Sequence, residues 1–510
     1  MSLPRFFNRV YAAAGGVLSL SAESLERQLG AVSIGVALDT EWEGNPNAEW
    51  TAELIVNLCA RLYGELSLIG SPTWVARAEA LACAINPNVA FSSSPPMVTL
   101  VVGNQVRQGD ALYARADGWV ARVSRAPVGG VPGAPNPLAA GAAASLAVAE
   151  LFRRTFQAHV PKVTFKDISV SLLDFTETGG IDESLIAASI GTVGLVGLGA
   201  VGSGAVWCLS RLQRITGRID LIDPQPIEES NLQRYVLALD AHIAVLKTQL
   251  AYEALGPTSV QLVQRTMPFE DAADHGFADT LAVSVDNVPT RRAVQAVLPR
   301  LAINGWTSER GLGASWHHFG EAGPCLACEY HPRGLGRSQT QLVSDAFGIV
   351  HERAAHLWVN QEGLSFMDLE TATNHLKLPR GALRHWLNQP IQKLYTDVMC
   401  GQVALDLSGV GRLEAVPLAH QSTLAGILMA AELIRRTDPA LAARSSMKPM
   451  IVWDDVLHIA PKAWTQLRAP HAHCICSDEV YRNRYRRKWS RNAEGGSNLI
   501  VAQLIPAPAA

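Results

Sequence analysis

A chain of 510 residues, 48% of them hydrophobic, exceeds what one hydrophobic core usually supports, so two or three compact domains with little disorder are expected. A net charge of -3, from 43 basic and 46 acidic residues, removes any general electrostatic argument for a nucleic-acid partner. No apolar run reaches membrane-spanning length without a charge, a glycine turn or a proline, and eight cysteines are too few for a disulfide scaffold.

The opening MSLPRFFNRVYAAAGGVLSL has a weak likeness to a signal peptide, interrupted by Arg9 and the Gly15-Gly16 pair. Residues 31–38 (AVSIGVAL) read as a buried strand, and TAELIVNLCARLYG carries apolar residues at helical spacing. ELSLIG, a helix through WVARAEALACAI, and MVTLVVG continue the alternation, which predicts an α/β domain. It contains no glycine phosphate loop and is expected to bind no nucleotide. Cys59 and Cys83 fall on its apolar helices and are expected in the core. The loop-like PVGGVPGAPNP leads into a small-residue helix, and KVTFKDISVSL reads as a strand able to pair with either of two sheets. The domain boundary is placed at 185, giving domains 1–185 and 186–510.

At Gly191 the pattern sharpens. GTVGLVGLGAVGSGAVWCLSRL is an apolar strand, a glycine turn (Gly197, Gly199, Gly202) and a helix, the order that holds a phosphate at a helix N-terminus. Asp223 closes a second apolar strand, where a carboxylate can accept hydrogen bonds from ribose hydroxyls. These features alone fit a nicotinamide dinucleotide or ATP equally. ESNLQR then supplies Asn231, Gln233 and Arg234, and Lys247 follows thirteen residues after the arginine. A dinucleotide pyrophosphate needs mainly backbone donors, whereas a triphosphate under attack gathers charge that fixed cations stabilise, so the two cations favour ATP. Further on, VSVDNVPTR ends a strand with Asp286-Asn287 and places Arg291 five residues after the aspartate.

Taken together, DPQPIEESNLQR with its downstream lysine and the Asp-Asn-x-x-x-Arg pattern resemble the adenylation domain of the ubiquitin-activating superfamily, which includes the bacterial ThiF/MoeB-type adenylyltransferases. The likeness is close from Gly191 to Cys328 and resumes from Cys400 to Trp489. It implies a Rossmann-like fold in which the glycine turn, Asp223, Asn231, Gln233, Arg234 and Lys247 bind ATP and Asp286, with Asn287 beside it, holds Mg2+. It also implies a cytoplasmic enzyme.

Cys325 and Cys328 form Cys-x-x-Cys, and Cys474 and Cys476 form Cys-x-Cys. Two thiol pairs on separate loops can complete the tetrahedron of a closed structural Zn2+ site. The second pair is one residue tighter than usual, which leaves His471 or His473 as a substitute ligand; unrelated buried thiols or a redox pair are the alternatives. Between these pairs, residues 331–400 form a polar, helical insert that ends at Cys400. In ubiquitin activators a thioester-forming cysteine lies on a segment crossing over the adenylate, so the resemblance makes Cys400 the candidate nucleophile, against the plain alternative of a small core residue. Cys208, in the helix after the glycine turn, is read as core. The basic run YRNRYRRKWSRN reads as a solvated helix face, and His317-His318 as packing residues in a strand.

One internal likeness bears on the whole molecule. NPLAAGAAASLAVAELFRRT (136–155) resembles VPLAHQSTLAGILMAAELIRRT (416–437), with Pro137 matching Pro417 and Glu150, Arg153 and Arg154 matching Glu432, Arg435 and Arg436. The first domain then reads as a degenerate, inactive copy of the second. Such a pair resembles the activating enzymes of bacterial ubiquitination-like antiviral operons. The resemblance implies a ubiquitin-like protein as substrate and a ubiquitin-conjugating-like enzyme as acceptor. Monomer and homodimer are both open, and Arg5, Arg9 and Arg27 are candidates for an additional arginine at the site. Two other readings compete: a sulfur-carrier or tRNA-modifying adenylyltransferase without a thioester relay, and an NAD-dependent oxidoreductase or idle nucleotide-binding scaffold, which the two cations and Asp286 disfavour.

Overall fold

A computed structural model of the protein describes residues 4–18, 20–160, 164–176, 181–272, 278–308, 311–319, 323–330, 339–376, 378–399, 416–442, 444, 450–454, 462–464 and 470–490. The chain divides into two compact units. One comprises Met1–Pro4, Leu29–His331 and Pro417–Ala510, the other Arg5–Gln28 and Pro332–Val416.

The chain begins with α1 (Phe7–Leu18) and α2 (Ala22–Gly30) and then enters the first sheet of the larger unit. Its elements are β1 (Ile34–Leu38), α3 (Pro46–Ala60), β2 (Glu65–Ile69), α4 (Pro72–Ile85), β3 (Ala90–Phe91), β4 (Val98–Val102), β5 (Asp110–Asp117), β6 (Val120–Ser124), α5 (Pro137–Thr155) and β7 (Ile168–Ser171). Each of the three helices starts by the same local chemistry. Asn45, Ser71 and Asn136 accept hydrogen bonds from first-turn amides, and a proline follows each at a position with no amide to lose. The strand order is β3-β2-β1-β4-β5-β6-β7, parallel as far as β5, then antiparallel through β6 and β7. The strand at 168–171, unassigned between sheets in the sequence, pairs with β6 of this first sheet.

The second sheet follows the same plan. Its elements are β8 (Ala187–Val196), α6 (Ala200–Leu209), β9 (Arg214–Ile222), α7 (Lys247–Leu255), β10 (Gln261–Arg265), α8 (Phe269–Ala272), β11 (Thr280–Val283), α9 (Val288–Ala296), β12 (Leu301–Thr307), β13 (Gly311–His317) and α10 (Leu326–Glu329). After the other unit's helices, α11 (Gln339–Phe347), α12 (His351–Asn360), α13 (Phe366–His375) and α14 (Ile391–Met399), the chain returns with α15 (Ala419–Thr437), α16 (Pro439–Ala442), β14 (Met450–Asp454), β15 (Lys462–Trp464) and α17 (Glu479–Ser490). The order β10-β9-β8-β11-β12-β13-β14-β15 is parallel through β12 and antiparallel beyond it. Strand for strand, the first seven positions repeat those of the first sheet.

The two long helices recognised as similar in sequence pack on each other, α5 beside α3 and α15 beside α6. Their shared Glu and Arg residues make the same local pairs. Buried Glu150 binds Arg153 (2.6 Å) and Arg154 (2.9 Å), and buried Glu432 binds Arg435 (2.9 Å) and Arg436 (3.2 Å). Close approach sets the glycines here: a Cβ on Gly426 would lie 2.2 Å from the Val201 carbonyl oxygen of α6. Cys59 and Cys208 are buried in the larger unit, and burial pushes both thiols well up. Cys83, expected in the core, is instead exposed on the outer face of α4.

The smaller unit contains a separate core of Val343, Phe347, Leu357, Leu364, Trp386 and Leu394. Ser365 and Asp368 form a capping box that starts α13, and Arg353 pairs with Asp368 at 2.9 Å. Arg27 is exposed and pairs with Glu23 along its own helix.

Candidate functional site

In both sheets the strand order reverses beside the central strand, and ligands of open α/β sheets bind at the carboxyl ends of strands at such a point. In the second sheet that point lies between β8 and β11. Gly197 leaves β8 with φ +86°, a conformation that favours glycine, and Gly199 is the N-cap of α6. Gly202 faces back on the turn, where a Cβ would lie 2.3 Å from the Gly197 carbonyl oxygen. Asp223, at the end of β9, is buried and accepts hydrogen bonds from the amides of Leu198 (2.8 Å) and Gln225 (2.9 Å). One carboxylate thus fixes both the glycine turn and the segment after β9, with lone pairs to spare for further donors.

The cations converge on one aromatic ring. Lys247, the first residue of α7, is buried and donates from Nζ to Gln225 Oε1 at 2.6 Å, with Nζ 5.1 Å from the centre of the Tyr235 ring. The Arg234 guanidinium lies 5.6 Å from the same ring centre. A Cβ on Gly199 would lie 3.3 Å from Tyr235 Oη, so the ring stands against the glycine turn. Leu198, Ser203, Tyr235 and Lys247 line one pocket. Arg234 Nη1 is buried and has no hydrogen-bond partner among the described residues. A guanidinium nitrogen withdrawn from water without an acceptor is costly, and an anion at this point would satisfy it. The chain around it therefore fits a polyphosphate. Asn231 closes the local turn by accepting from the Glu228 amide (3.1 Å), while Gln233 Nε2 reaches the Pro417 carbonyl at 3.5 Å.

Across the crevice, Ser284 Oγ donates to the Gly197 carbonyl at 2.6 Å and carries the 284–287 turn against the glycine loop. Asp286 is exposed on that turn, and Asn287 N-caps α9 by accepting from the Thr290 amide at 2.8 Å. Buried Arg291 donates to Asn304 Oδ1 and to the Val285 carbonyl, which fixes the turn from below. Burial lowers its pKa, opposed by the charges of Tyr330 and Asp286.

The four cysteine thiols meet. Cys325 and Cys474 lie 3.5 Å apart, Cys328 and Cys476 3.4 Å, and all four sulfurs fall within 4.8 Å of one another. Zn–S bonds of about 2.3 Å in a tetrahedron require S···S separations of about 3.8 Å, so the residues fit a Zn2+ ion without any histidine. His471 and His473, held open as ligands in the sequence, are not members of the group; the His471 amide donates to Cys328 Sγ at 3.4 Å. The basic run does form a helix, α17, but not only a solvated one. Lys488 Nζ donates to the Val297 carbonyl at 2.7 Å and Trp489 Nε1 to the Leu298 carbonyl at 3.1 Å. Cation and donors thus cap the C-terminal end of α9, the helix that begins beside Asp286. His317 is buried, bonded to Ser315 Oγ (2.9 Å) and the Pro324 carbonyl (3.0 Å), and burial lowers its pKa to about 4.

The structure thus brings Gly197, Gly199, Gly202, Asp223, Arg234 and Lys247 to one place and sets the Asp286 turn against it. Cys400 lies outside the described residues. Three contributors escaped the sequence reading: Gln225, Ser284 and Tyr235. Their only local signal is proximity to the motif residues, since each acts through tertiary contacts.

A doubly wound α/β unit with a glycine turn at the switch point and a carboxylate at the end of the neighbouring strand has the arrangement of a nucleotide-binding fold. Comparison with known proteins agrees. The ThiF family model matches residues 181–476, and the chain belongs to the ThiF family, with its adenylyltransferase-like domain. A second model, prokaryotic E2 family C, matches residues 37–157. The protein y4jF of Sinorhizobium fredii, described as uncharacterized, is 33% identical over 528 residues, covering 98% of this chain and 99% of that one. Among solved structures, E. coli MccB with ATP is 17% identical at a TM-score of 0.33, covering 56% of this chain and 65% of that one. MccB with AMPCPP and SeMet MccA is 17% identical at a TM-score of 0.35, covering 56% and 67%. No helix among the described residues is long and apolar enough to cross a membrane.

Proposed function

We propose that the protein activates a ubiquitin-like protein at the expense of ATP. The observation that carries this reading is the buried Arg234 Nη1, without a hydrogen-bond partner among the described residues, on a guanidinium that shares with Lys247 the Tyr235 ring standing against the glycine turn. Asp223 would accept from the ribose hydroxyls, and the amides at the start of α6 would face phosphate oxygens. The C-terminal carboxylate of the ubiquitin-like protein attacks the α-phosphorus of ATP. A P–O bond forms to the carboxylate oxygen, the bond to pyrophosphate breaks, and Arg234 and Lys247 stabilise the charge that builds on the departing oxygens. Mg2+ held at Asp286 would add positive charge to the same oxygens.

In the second step the Cys400 thiolate attacks the acyl carbon. A thioester forms, AMP leaves with the electron pair of the broken C–O bond, and the acyl group passes to a ubiquitin-conjugating-like enzyme. The four-cysteine group would hold Zn2+ as a structural ion. This reading places the enzyme in the cytoplasm, in the setting of a bacterial ubiquitination-like antiviral system.

The test is non-reducing electrophoresis of the protein with ATP, Mg2+ and a candidate ubiquitin-like protein, run for wild type and Cys400→Ala. A thiol-sensitive adduct in wild type alone, with ATP–pyrophosphate exchange intact in the variant, is the expected result. Exchange without an adduct in either protein would leave an adenylyltransferase that uses no cysteine relay.

A further inference from the structure

Arg61 follows α3 in the first half of the larger unit, is only 1% exposed, and spends its guanidinium on the second half. Nη1 donates to the Leu232 carbonyl, Nη2 donates to the carbonyls of Ala238 (2.9 Å) and Val236 (3.3 Å), and Nε donates to Asn57 Oδ1 at 2.9 Å. Asn57 Nδ2 adds a second bond to Val236, at 3.0 Å. None of these acceptors is a carboxylate, and burial pushes the guanidinium down to about 9.

Burying an arginine charge on neutral acceptors is an expensive way to staple two surfaces together, and an apolar side chain would do that with less penalty. What the planar fork does provide is directional control of several carbonyls at once. The segment it grips needs that control. After a short 3-10 turn at Glu229–Asn231, residues 232–238 belong to no helix or strand, so no ladder fixes their carbonyls. Arg234 and Tyr235 lie between the gripped carbonyls of Leu232 and Val236. Arg234 Nη1 has no hydrogen-bond partner of its own among the described residues, so its position depends on the backbone behind it.

We propose that Arg61, seconded by Asn57, is a positioning residue for the triphosphate: it holds 232–238 so that Arg234 and the Tyr235 ring face the polyphosphate. The first half would then be a fixed part of the nucleotide site of the second. This inference rests on the ATP reading above.

The test measures dissociation constants for ATP and for AMP by titration of the full chain, in wild type, Arg61→Lys, Asn57→Ala and Arg234→Ala, with Arg211→Ala as control. Arg211 also bridges the halves, through Glu53, but touches none of 232–238. Arg61→Lys should weaken ATP about tenfold, the scale of one misplaced charge-assisted hydrogen bond, and Asn57→Ala less. AMP affinity should stay within about twofold, because only the polyphosphate contact is disturbed. In an Arg234→Ala background, Arg61→Lys should add almost nothing. Equal losses for ATP and AMP, unchanged ATP affinity, or full additivity with Arg234→Ala would each overturn the proposal. A wild type that binds neither nucleotide would sink the adenylation reading itself instead.

Discussion

At the end of β8 the chain turns through Gly197; at the matching point of the first sheet, the end of β1, it meets Asp39. Strand register makes the match, since Val196 pairs with Val283 in one sheet as Leu38 pairs with Val102 in the other. Asp39 is buried, and its carboxylate accepts from the amides of Asn104 and Gln105, both at 2.6 Å, and from Arg107 Nη2 at 2.6 Å. Those two amides correspond in register to Val285 and Asp286. The first half thus fills its own switch-point crevice with an internal anion, already neutralised by an internal arginine. Where β9 leads to Asp223, β2 leads to Gly70 and Ser71, and Ser71 is consumed as the N-cap of α4. One strand order therefore supports a site in one half and a plug in the other, and the difference lies in a handful of residues at strand ends.

Exchanging the roles of these positions gives the largest effect. Asp286→Ala should lower ATP–pyrophosphate exchange by about a hundredfold or more, on the scale of losing a stabilising charge at the reacting phosphates. Asp39→Ala should leave exchange within about twofold yet destabilise the protein by about 2 kcal/mol, because it strands half-buried Arg107 and the part-buried amides of Asn104 and Gln105. Equal losses of exchange in the two variants would break the contrast. Metal removal sharpens it in a second way. Among the described residues, the cysteine group and α17 clamp the second half, through the end of α9. Cys325→Ser, or chelation, should therefore raise hydrogen exchange in α9 and α17 while β1 and β4 stay protected. Uniform loss of protection across both sheets would contradict a local clamp.

How much of this could be read in advance depends on the range of the chemistry involved. The glycine turn, Asp223 and the two cysteine pairs are legible because turn geometry and metal ligation demand particular residue types at short spacings. The repeat was legible in 136–155 and 416–437 because a proline start, a buried glutamate and two arginines recur together. The β5–β6 hairpin carries no comparable local signal. DALYARAD and VARVS mix charges with small residues, and a ladder with long-range partners overrides that weak local preference. Cys83 is exposed against expectation because an apolar helix still has a solvent face. Arg61 carried no signal at all, since an arginine at a helix end reads as solvated until the partner carbonyls, some 171 to 177 residues away, are in place.

The smallest expected effect concerns the seam where the two halves meet. His420, in the first turn of α15, is buried with its ring centre 5.9 Å from that of Phe152 on α5, and burial lowers its pKa to about 3. Its ordinary value in an unfolded chain is about 6.5. Between these values the unfolded state binds a proton that the folded state refuses, so stability is full above about pH 6.5 and falls as the pH drops toward 3. At pH 5 this one group should remove about 2 kcal/mol relative to pH 8. His317, lowered to about 4, contributes a slope of the same sign. His420→Gln should therefore reduce rather than abolish the acid sensitivity. Denaturant unfolding at pH 5 and pH 8 would read this as about 2 kcal/mol less pH dependence in the variant, whatever its absolute stability. An unchanged dependence would mean that the seam admits the charged imidazole, and that α5 and α15 separate more readily than their packing implies.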